Sequence, residues 1–127
     1  MILRFSAILA LALTLGPAAG AAIKLSLDED VTMGLGLTEG IETALSVIVA
    51  GWRPVWAAGS DGAIQTFPVL SGIGAVTMFA DNDKNRAGED AARVCAERLS
   101  SAGIEVRILA PPKAGTDWNS WLHGRAG

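Results

Sequence analysis

Acidic residues follow two apolar segments of the sequence, at positions where strands would end. Asp81 and Asp83 come directly after the apolar run 74–80, and Glu39 follows the apolar segment 31–38. Asp81 and Asp83 are two residues apart, so in extended backbone their side chains point to the same side. Carboxylates this close repel one another when both are ionised, and a divalent cation removes that cost. Mg²⁺ prefers such hard oxygen ligands, with Mn²⁺ as the alternative.

Strand-like and helix-like segments alternate through most of the chain. Strands are predicted at 21–26, 31–40, 54–60, 74–81 and 104–110, and helices at 41–51, within 61–70, at 85–103 and at 116–124. Several strands are continuously apolar, which is typical of a parallel sheet with helices packed over it. We therefore predict an α/β fold with a mainly parallel central sheet of about four strands. Ligands bind at the carboxyl ends of the strands in such sheets, where the acidic residues fall.

Two of the predicted helices have apolar residues at helical spacing, which predicts the faces that pack on the sheet. The predicted faces are Ile41, Ala44, Leu45, Ile48 and Val49 in the first helix, and Ala91, Val94, Cys95, Arg98 and Leu99 in the second. Thr116 is predicted to cap the last helix. Trp118 and Trp121 lie three residues apart on that helix and are interpreted as packing residues, with base stacking as the alternative.

Composition limits the function classes. The chain has 127 residues, half of them hydrophobic, and a formal net charge of -3, which argues against binding nucleic acid by positive charge alone. A metal ion that bridges an acidic protein and an acidic substrate remains compatible with this charge. The single cysteine, Cys95, excludes an internal disulfide and a zinc site built from several thiolates.

The N-terminal segment has a pattern of its own. Residues 1–14 contain Arg4 and an apolar run, as a secretory signal peptide does, and residues 15–30 form a lead-in to the predicted domain at 31–127. The run is too short for a confident membrane span, so no membrane association is expected. We interpret 1–14 as an unrelated apolar start and expect a cytoplasmic protein, with export as the alternative.

Two stretches carry a family resemblance. "GLTEGIETALS" and "VTMFADNDKNRAGEDAARVCAERLSSAGIEVRILAPPKAGTDWNSWL" resemble a Toprim domain over about residues 31–122. This Rossmann-like fold is shared by bacterial-type primases, type IA and type II topoisomerases and some nucleases. The similarity is greatest to the Toprim domains of primase-like and primase-helicase proteins of phages and mobile elements.

The resemblance implies roles for individual residues. Glu39 matches the glutamate proposed as a general acid or base or as a metal-associated group, and Asp81 and Asp83 match the metal-binding pair. Gly88 matches the small residue at the start of the following helix. Asp117 resembles a later acidic position and is a further candidate metal ligand, although Thr116 stands where those primases have Lys.

Two basic residues of the same loop are candidates for contact with phosphate. Lys84 and Arg86 follow the acidic pair directly and could meet phosphate oxygens of a nucleotide or nucleic acid. Solvated loop charges are the alternative interpretation of both residues.

The function implied by the resemblance is Mg²⁺-dependent nucleotidyl or phosphoryl transfer, with a DNA template and nucleotides as partners. Primases of this group have a zinc module and a polymerase-like subdomain before Toprim, and neither is recognisable here. We therefore expect a fragment or subunit that works with other primase or helicase domains. A Toprim-type nuclease and a non-catalytic module that binds nucleic acid or a partner are the alternatives.

Other phosphoryl-transfer families fit the pattern less well. Haloacid dehalogenase-like phosphatases have their acidic pair on the first strand, whereas Asp81 and Asp83 follow two earlier strands. Response-regulator receivers also have an acidic pair first, with the phospho-acceptor on a later strand. The position of Glu39 before the pair argues against both families.

Overall fold

A computed structural model describes residues 22–31, 33–83 and 85–126 of the chain. The strands of this part form one sheet in the order β1-β3-β2-β4-β5. Their bounds are β1 Ile23–Lys24, β2 Gly34–Thr38, β3 Val55–Ala57, β4 Ala75–Phe79 and β5 Glu105–Leu109. Strands β2 to β5 pair in parallel, and the short β1 runs antiparallel to β3 at one edge. The prediction of a mainly parallel α/β sheet is confirmed, and β1, which lies within the predicted strand 21–26, is the antiparallel edge strand.

Four α-helices connect or follow the strands in the described part of the chain. They are α1 Ile41–Val49, α2 Asp61–Gln65, α3 Ala87–Ser101 and α4 Trp118–Ala126, and a short 3-10 helix covers Asp28–Asp30. Gly51 and Gly103 follow the ends of α1 and α3 with positive φ angles of 107° and 88°, which glycine adopts without a steric penalty. Both glycines thus end their helices.

The two faces of the sheet bury different core clusters. Because alternate strand residues face opposite sides, Leu37 and Met78 belong to the cluster that contains α3, whereas Phe79 belongs to the cluster that contains α1. Cys95 is fully buried in the α3 cluster, where it acts as a small hydrophobic side chain. Helices cover both faces, which explains why the central strands are continuously apolar.

The predicted helix faces are correct except at single positions. Val49 is 75% exposed and Val94 is 45% exposed, so the assignment of these two residues to the packed faces is wrong. Val49 is the last residue of α1, and Val47 packs in the core instead. On α3 the small residues Ala91 and Ala92 are both buried and allow the helix to lie close to the sheet.

The lead-in segment is described only in part. Residues 1–14 and 15–21 lie outside the described residues, whereas 22–30 form β1 and the 3-10 helix. Ser26 connects this segment to β3 by two hydrogen bonds. Its hydroxyl accepts a hydrogen bond from the Val55 N–H at 3.0 Å, and its carbonyl accepts one from Trp56 Nε1–H at 3.0 Å. None of the described helices has both the length and the apolar character needed to cross a membrane.

Candidate active site

Strands β2 and β4 end side by side, which brings their acidic residues to the same edge of the sheet. Thr38 pairs with Phe79 in the parallel ladder, Glu39 follows β2 directly, and Asp81 comes two residues after β4. The Thr38 hydroxyl donates to the Gly40 carbonyl at 2.8 Å, which holds the turn that carries Glu39. This edge, with Glu39, Asp61, Asp81, Asp83 and Asp117, is called the acidic edge below.

Asp81 is partly buried and tied to the C-terminal helix. Its Oδ1 accepts the backbone N–H of Trp118 at 3.0 Å. Burial raises the pKa of Asp81, the Trp118 hydrogen bond lowers it in part, and the nearby charges of Asp83, Asp117 and Asp61 raise it again. The Trp118 ring packs edge-to-face on Phe79 with centroids 5.6 Å apart, so the interpretation of Trp118 as a packing residue is supported.

Asp83 lies against the start of α3, where the lack of a side chain on Gly88 leaves the Asp83 carboxylate free of a contact from this position. A Cβ atom on Gly88 would lie 3.4 Å from Asp83 Oδ2 and 3.7 Å from the Asp81 carbonyl oxygen. The loop before the helix is shaped by Asn85, whose Oδ1 accepts the Ala87 N–H at 3.1 Å. The small residue expected at position 88 therefore has a steric reason in this structure.

Asp117 approaches the acidic edge from the segment after β5. Its Oδ1 accepts the Ser120 N–H at 2.7 Å, so Asp117 itself caps α4. The prediction of Thr116 as the cap is wrong, because the Thr116 backbone instead pairs with Asn82 in an isolated bridge. Asp117 adds negative charge near Asp81, as the raised pKa of Asp81 shows.

Asn82 is a structural residue of the acidic edge that sequence reasoning missed. Its backbone N–H donates to the Thr116 carbonyl at 3.0 Å, and its side chain Nδ2–H donates to the Pro111 carbonyl at 2.8 Å. These bonds hold the segment that delivers Asp117. The sequence carries no signal for them, because the partners are 29 or more residues away.

Asp61 is a second residue that sequence reasoning missed. It is the first residue of α2 and follows the carboxyl end of β3, the strand next to β2. Its side chain lies within hydrogen-bonding reach of Glu39, and its Oδ1 is buried without a donor. A signal was present in "VWAAGSDG", where an acidic residue follows a buried strand just as Glu39 and Asp81 do.

The pKa of Glu39 is shifted towards neutral pH. The pKa of Glu39 is raised from 4.5 to about 7, first by burial, then by the charge of Asp61 and the hydrogen bond with it, and then by Asp81 and Asp83. A carboxyl group that titrates near neutral pH can both donate and accept a proton there. Such a shift is typical of, although not restricted to, functional sites.

The two candidate phosphate contacts are described unequally. Lys84 lies outside the described residues. Arg86 is exposed, has a positive φ angle of 59°, and forms an ion pair of 3.7 Å with Glu89. Exposed ion pairs of this kind contribute little, so the Arg86 guanidinium can exchange Glu89 for another anion.

The donor chemistry suits a hard cation but does not form a complete cage. Within residues 22–31, 33–83 and 85–126, no group of three or more His, Cys, Asp or Glu side chains is arranged to hold a metal ion by itself. Mg²⁺ commonly takes only one or two carboxylates and completes its shell with water and substrate phosphates. The buried Asp61 Oδ1 without a donor and the raised pKa values of Glu39 and Asp81 show that this edge is short of positive charge.

Comparison with known proteins identifies the family. The family model described as "Toprim domain" matches residues 34–126, which include the whole acidic edge. The fold is similar to that in a crystal structure of a DNA primase domain from Pseudomonas aeruginosa, with a TM-score of 0.54 and 23% identity. That match covers 76% of this chain and 30% of the primase domain chain. No curated protein sequence matches. Because the family model covers well over half of its residues, the chain belongs to the Toprim domain family.

Proposed function

We propose that this Toprim domain takes part in Mg²⁺-dependent nucleotidyl or phosphoryl transfer on nucleic acid, as the Toprim part of a DNA primase-like protein. The observation that supports the proposal most is the position of Glu39 beside Asp81 and Asp83 at the carboxyl edge of the parallel sheet. Family membership and the similarity in fold to a primase domain support a nucleic-acid context.

In this proposal the acidic residues divide into two roles. Asp81 and Asp83 hold Mg²⁺ or Mn²⁺, and Asp117 adds charge from the cap of α4. When bound, the metal offsets the negative charge that develops on the phosphate. Glu39 exchanges a proton with the attacking or leaving hydroxyl, for which a pKa of about 7 is well matched.

Basic residues and partners complete the proposed site. Arg86 and Lys84 contact phosphate oxygens of the substrate, since Arg86 is exposed beside the acidic loop. The match covers only 30% of the primase domain chain, which supports a role for other primase or helicase domains or subunits. A DNA template and nucleotides are the proposed substrates, and their location makes the cytoplasm the proposed compartment.

One observation favours a second candidate function. The described residues contain no group of side chains that holds a metal unaided, and the whole chain carries a net charge of -3. A module that binds nucleic acid or a partner subunit without turnover fits the first fact, and the negative charge suits a partner subunit better than nucleic acid. A Toprim-type nuclease remains an alternative within the catalytic proposal.

The test combines DNA binding with turnover. The chain is incubated with labelled single-stranded DNA, nucleoside triphosphates and Mg²⁺ or Mn²⁺, and both primer products and cleaved template are resolved on gels. Glu39→Gln and Asp81→Asn are compared with Asp30→Asn, a control in the exposed 3-10 helix away from the edge. Metal-dependent products from parent and control, but not from the two edge variants, support the catalytic proposal. The type of product separates primase from nuclease.

The other outcomes contradict all or part of the catalytic proposal. Metal-dependent DNA binding without any product supports the non-catalytic module. Products that form equally with Glu39→Gln contradict the role of Glu39. Absence of both binding and product, with and without a candidate primase or helicase partner, contradicts both candidate functions.

A further inference from the structure

The side chain of Asp61 is placed differently from that of an ordinary residue at the start of a surface helix. Its Oδ1 is buried and has no hydrogen-bond donor. The start of α2 is already capped by Ser60, whose hydroxyl accepts the Ala63 N–H at 3.0 Å. Capping therefore does not explain why Asp61 Oδ1 is buried, and a buried carboxylate oxygen without a donor is costly.

The backbone holds Asp61 beside Glu39. The Ala58 N–H donates to the Thr38 carbonyl at 2.8 Å, and the Gly59 N–H donates to the Glu39 carbonyl at 2.7 Å. These bonds continue the pairing of β2 with β3 beyond the ends of both strands. Gly59, with a φ angle of 108°, then turns the chain into α2. The position of Asp61 next to Glu39 is thus fixed by main-chain hydrogen bonds.

The charges around Glu39 and Asp61 leave one simple source of a hydrogen-bond donor for Asp61. Among the described residues, the charged groups that act on Glu39 are acidic: Asp61 from α2, and Asp81 and Asp83 from the loop after β4. Two ionised carboxylates have no hydrogen to share, since each oxygen only accepts. A single proton on Glu39 removes one charge and supplies a donor to Asp61.

We propose that Asp61 is a positioning residue for Glu39, whose carboxyl group it holds by accepting a hydrogen bond from it. The inference rests on the proposed function, in which Glu39 exchanges a proton with a substrate hydroxyl. When Glu39 gives its proton to an oxygen of the substrate, two carboxylates are left side by side. Their repulsion then favours the uptake of the next proton by Glu39. Asp61 itself touches neither substrate nor metal in this account.

A double-mutant cycle measures this contact without metal or DNA. Glu39→Gln, Asp61→Asn and the double variant are unfolded thermally in metal-free buffer at about pH 8, where the parent Glu39 is mostly ionised. The amide of Gln supplies the missing donor to Asp61 without a proton. We expect Glu39→Gln to raise the Tm by roughly 3–5 °C in the parent and by less than half of that in the Asp61→Asn background. Equal rises of the Tm in the two backgrounds overturn the proposal.

A titration supplies a readout that general stability does not affect. With ¹³C-labelled glutamate, the carboxyl signal of Glu39 is followed by NMR through the pH range, and Asp30→Asn serves as the control. The midpoint is expected near 7 in parent and control, and lower by about one pH unit in Asp61→Asn. An unchanged midpoint in Asp61→Asn overturns the proposal.

Failure of this inference and failure of the proposed function are distinguishable. If the cycle is additive and Glu39→Gln still abolishes metal-dependent products, Asp61 has no positioning role and the function stands. If the cycle shows coupling and Asp61→Asn also moves the activity optimum to lower pH, the positioning role of Asp61 and the proposed function are both supported. If parent and Glu39→Gln make equal amounts of product, the role of Glu39 fails, and the positioning role of Asp61 for this reaction fails with it.

Discussion

Asp81 Oδ1 accepts a hydrogen bond of 3.0 Å from the backbone N–H of Trp118, which lies 37 residues further along the chain. The same tryptophan packs on Phe79 and donates Nε1–H to the Leu109 carbonyl at 3.3 Å. Helix α4 is thereby attached to the ends of β4 and β5. The acidic edge therefore depends on the C-terminal segment as well as on the two acidic strand ends.

The stability of the fold is expected to depend on pH through Glu39. Its pKa is raised from 4.5 to about 7 in the folded protein, so the folded state binds this proton more tightly than the unfolded state. The stabilising contribution is fully present below pH 4.5 and is lost as the pH rises through about 7. Asp81 acts in the same direction, since its pKa is also raised. Thermal unfolding followed by circular dichroism should give a lower Tm at about pH 8 than at about pH 5.

Two controls accompany this measurement. Glu39→Gln should show a smaller fall of the Tm over the same range, because its side chain does not titrate. Addition of Mg²⁺ at the higher pH should recover part of the loss, since a bound cation offsets the repulsion among the ionised carboxylates. Identical pH dependence in the parent and in Glu39→Gln would contradict the assignment to Glu39.

Replacement of Gly88 by alanine should weaken metal binding without unfolding the protein. The added Cβ would lie in van der Waals contact with Asp83 Oδ2 at 3.4 Å and would restrict how that carboxylate can turn towards a cation, whereas alanine favours the helix by up to about 1 kcal/mol. We expect the Mn²⁺ affinity to fall by roughly 3- to 10-fold, with a change of less than about 1 kcal/mol in the free energy of unfolding. Calorimetric titration and urea unfolding measure the two quantities.

The matched control for Gly88 is Gly62. A Cβ on Gly62, the second residue of α2 as Gly88 is of α3, would meet only Ser60 Oγ at 3.9 Å. Gly62→Ala should keep the Mn²⁺ affinity of the parent. Equal affinities of parent, Gly62→Ala and Gly88→Ala would show that the space beside Asp83 does not matter for the metal.

Gly36 and Gly34 form a second matched pair, within β2. A Cβ on Gly36 would lie 3.0 Å from Trp52 Nε1 and 3.1 Å from Val55 Cγ2, whereas a Cβ on Gly34 would have only the Ala75 carbonyl oxygen at 4.0 Å. Gly36→Ala should therefore destabilise the fold by about 1–3 kcal/mol because it overpacks this site. Gly34→Ala should be neutral or stabilising by up to about 1 kcal/mol.

Urea unfolding and tryptophan fluorescence test this pair. Trp52 packs edge-to-face on Phe79 at 5.2 Å between ring centroids, so its displacement should change the emission of Gly36→Ala and not that of Gly34→Ala. Equal stability of the two variants would mean that Trp52 moves aside at no cost.

Local patterns in the sequence were sufficient to predict the sheet and the positions of Glu39 and Asp81. Buried parallel strands are apolar throughout, and residues at their carboxyl ends meet at one edge regardless of the connecting segments. The structure pairs Thr38 with Phe79 at the ends of these two runs, although neither this register nor the order of the strands was predicted from the sequence. The exposed Val49 and Val94 show that periodicity alone does not say where a helix leaves the sheet.

The remaining parts of the site depend on contacts between distant segments. The side chain of Asn82 meets Pro111 across 29 residues, and Asp81 meets Trp118 across 37. The carboxylate of Asp61 comes to Glu39 only because β3 lies beside β2 in the sheet order. Such contacts leave no spacing or periodicity in the sequence, so tertiary structure is needed to find them.

The central claim is that the acidic edge binds a divalent cation, and calorimetric titration of Mn²⁺ and Mg²⁺ tests it most directly. The parent is compared with Asp81→Asn and Asp83→Asn, and with Asp90→Asn, an exposed residue of α3, as the control. We predict that parent and Asp90→Asn bind alike and that both edge variants lose at least about tenfold in affinity. Equal binding by all four proteins, or no binding by the parent in the presence or absence of nucleotide, would contradict the claim.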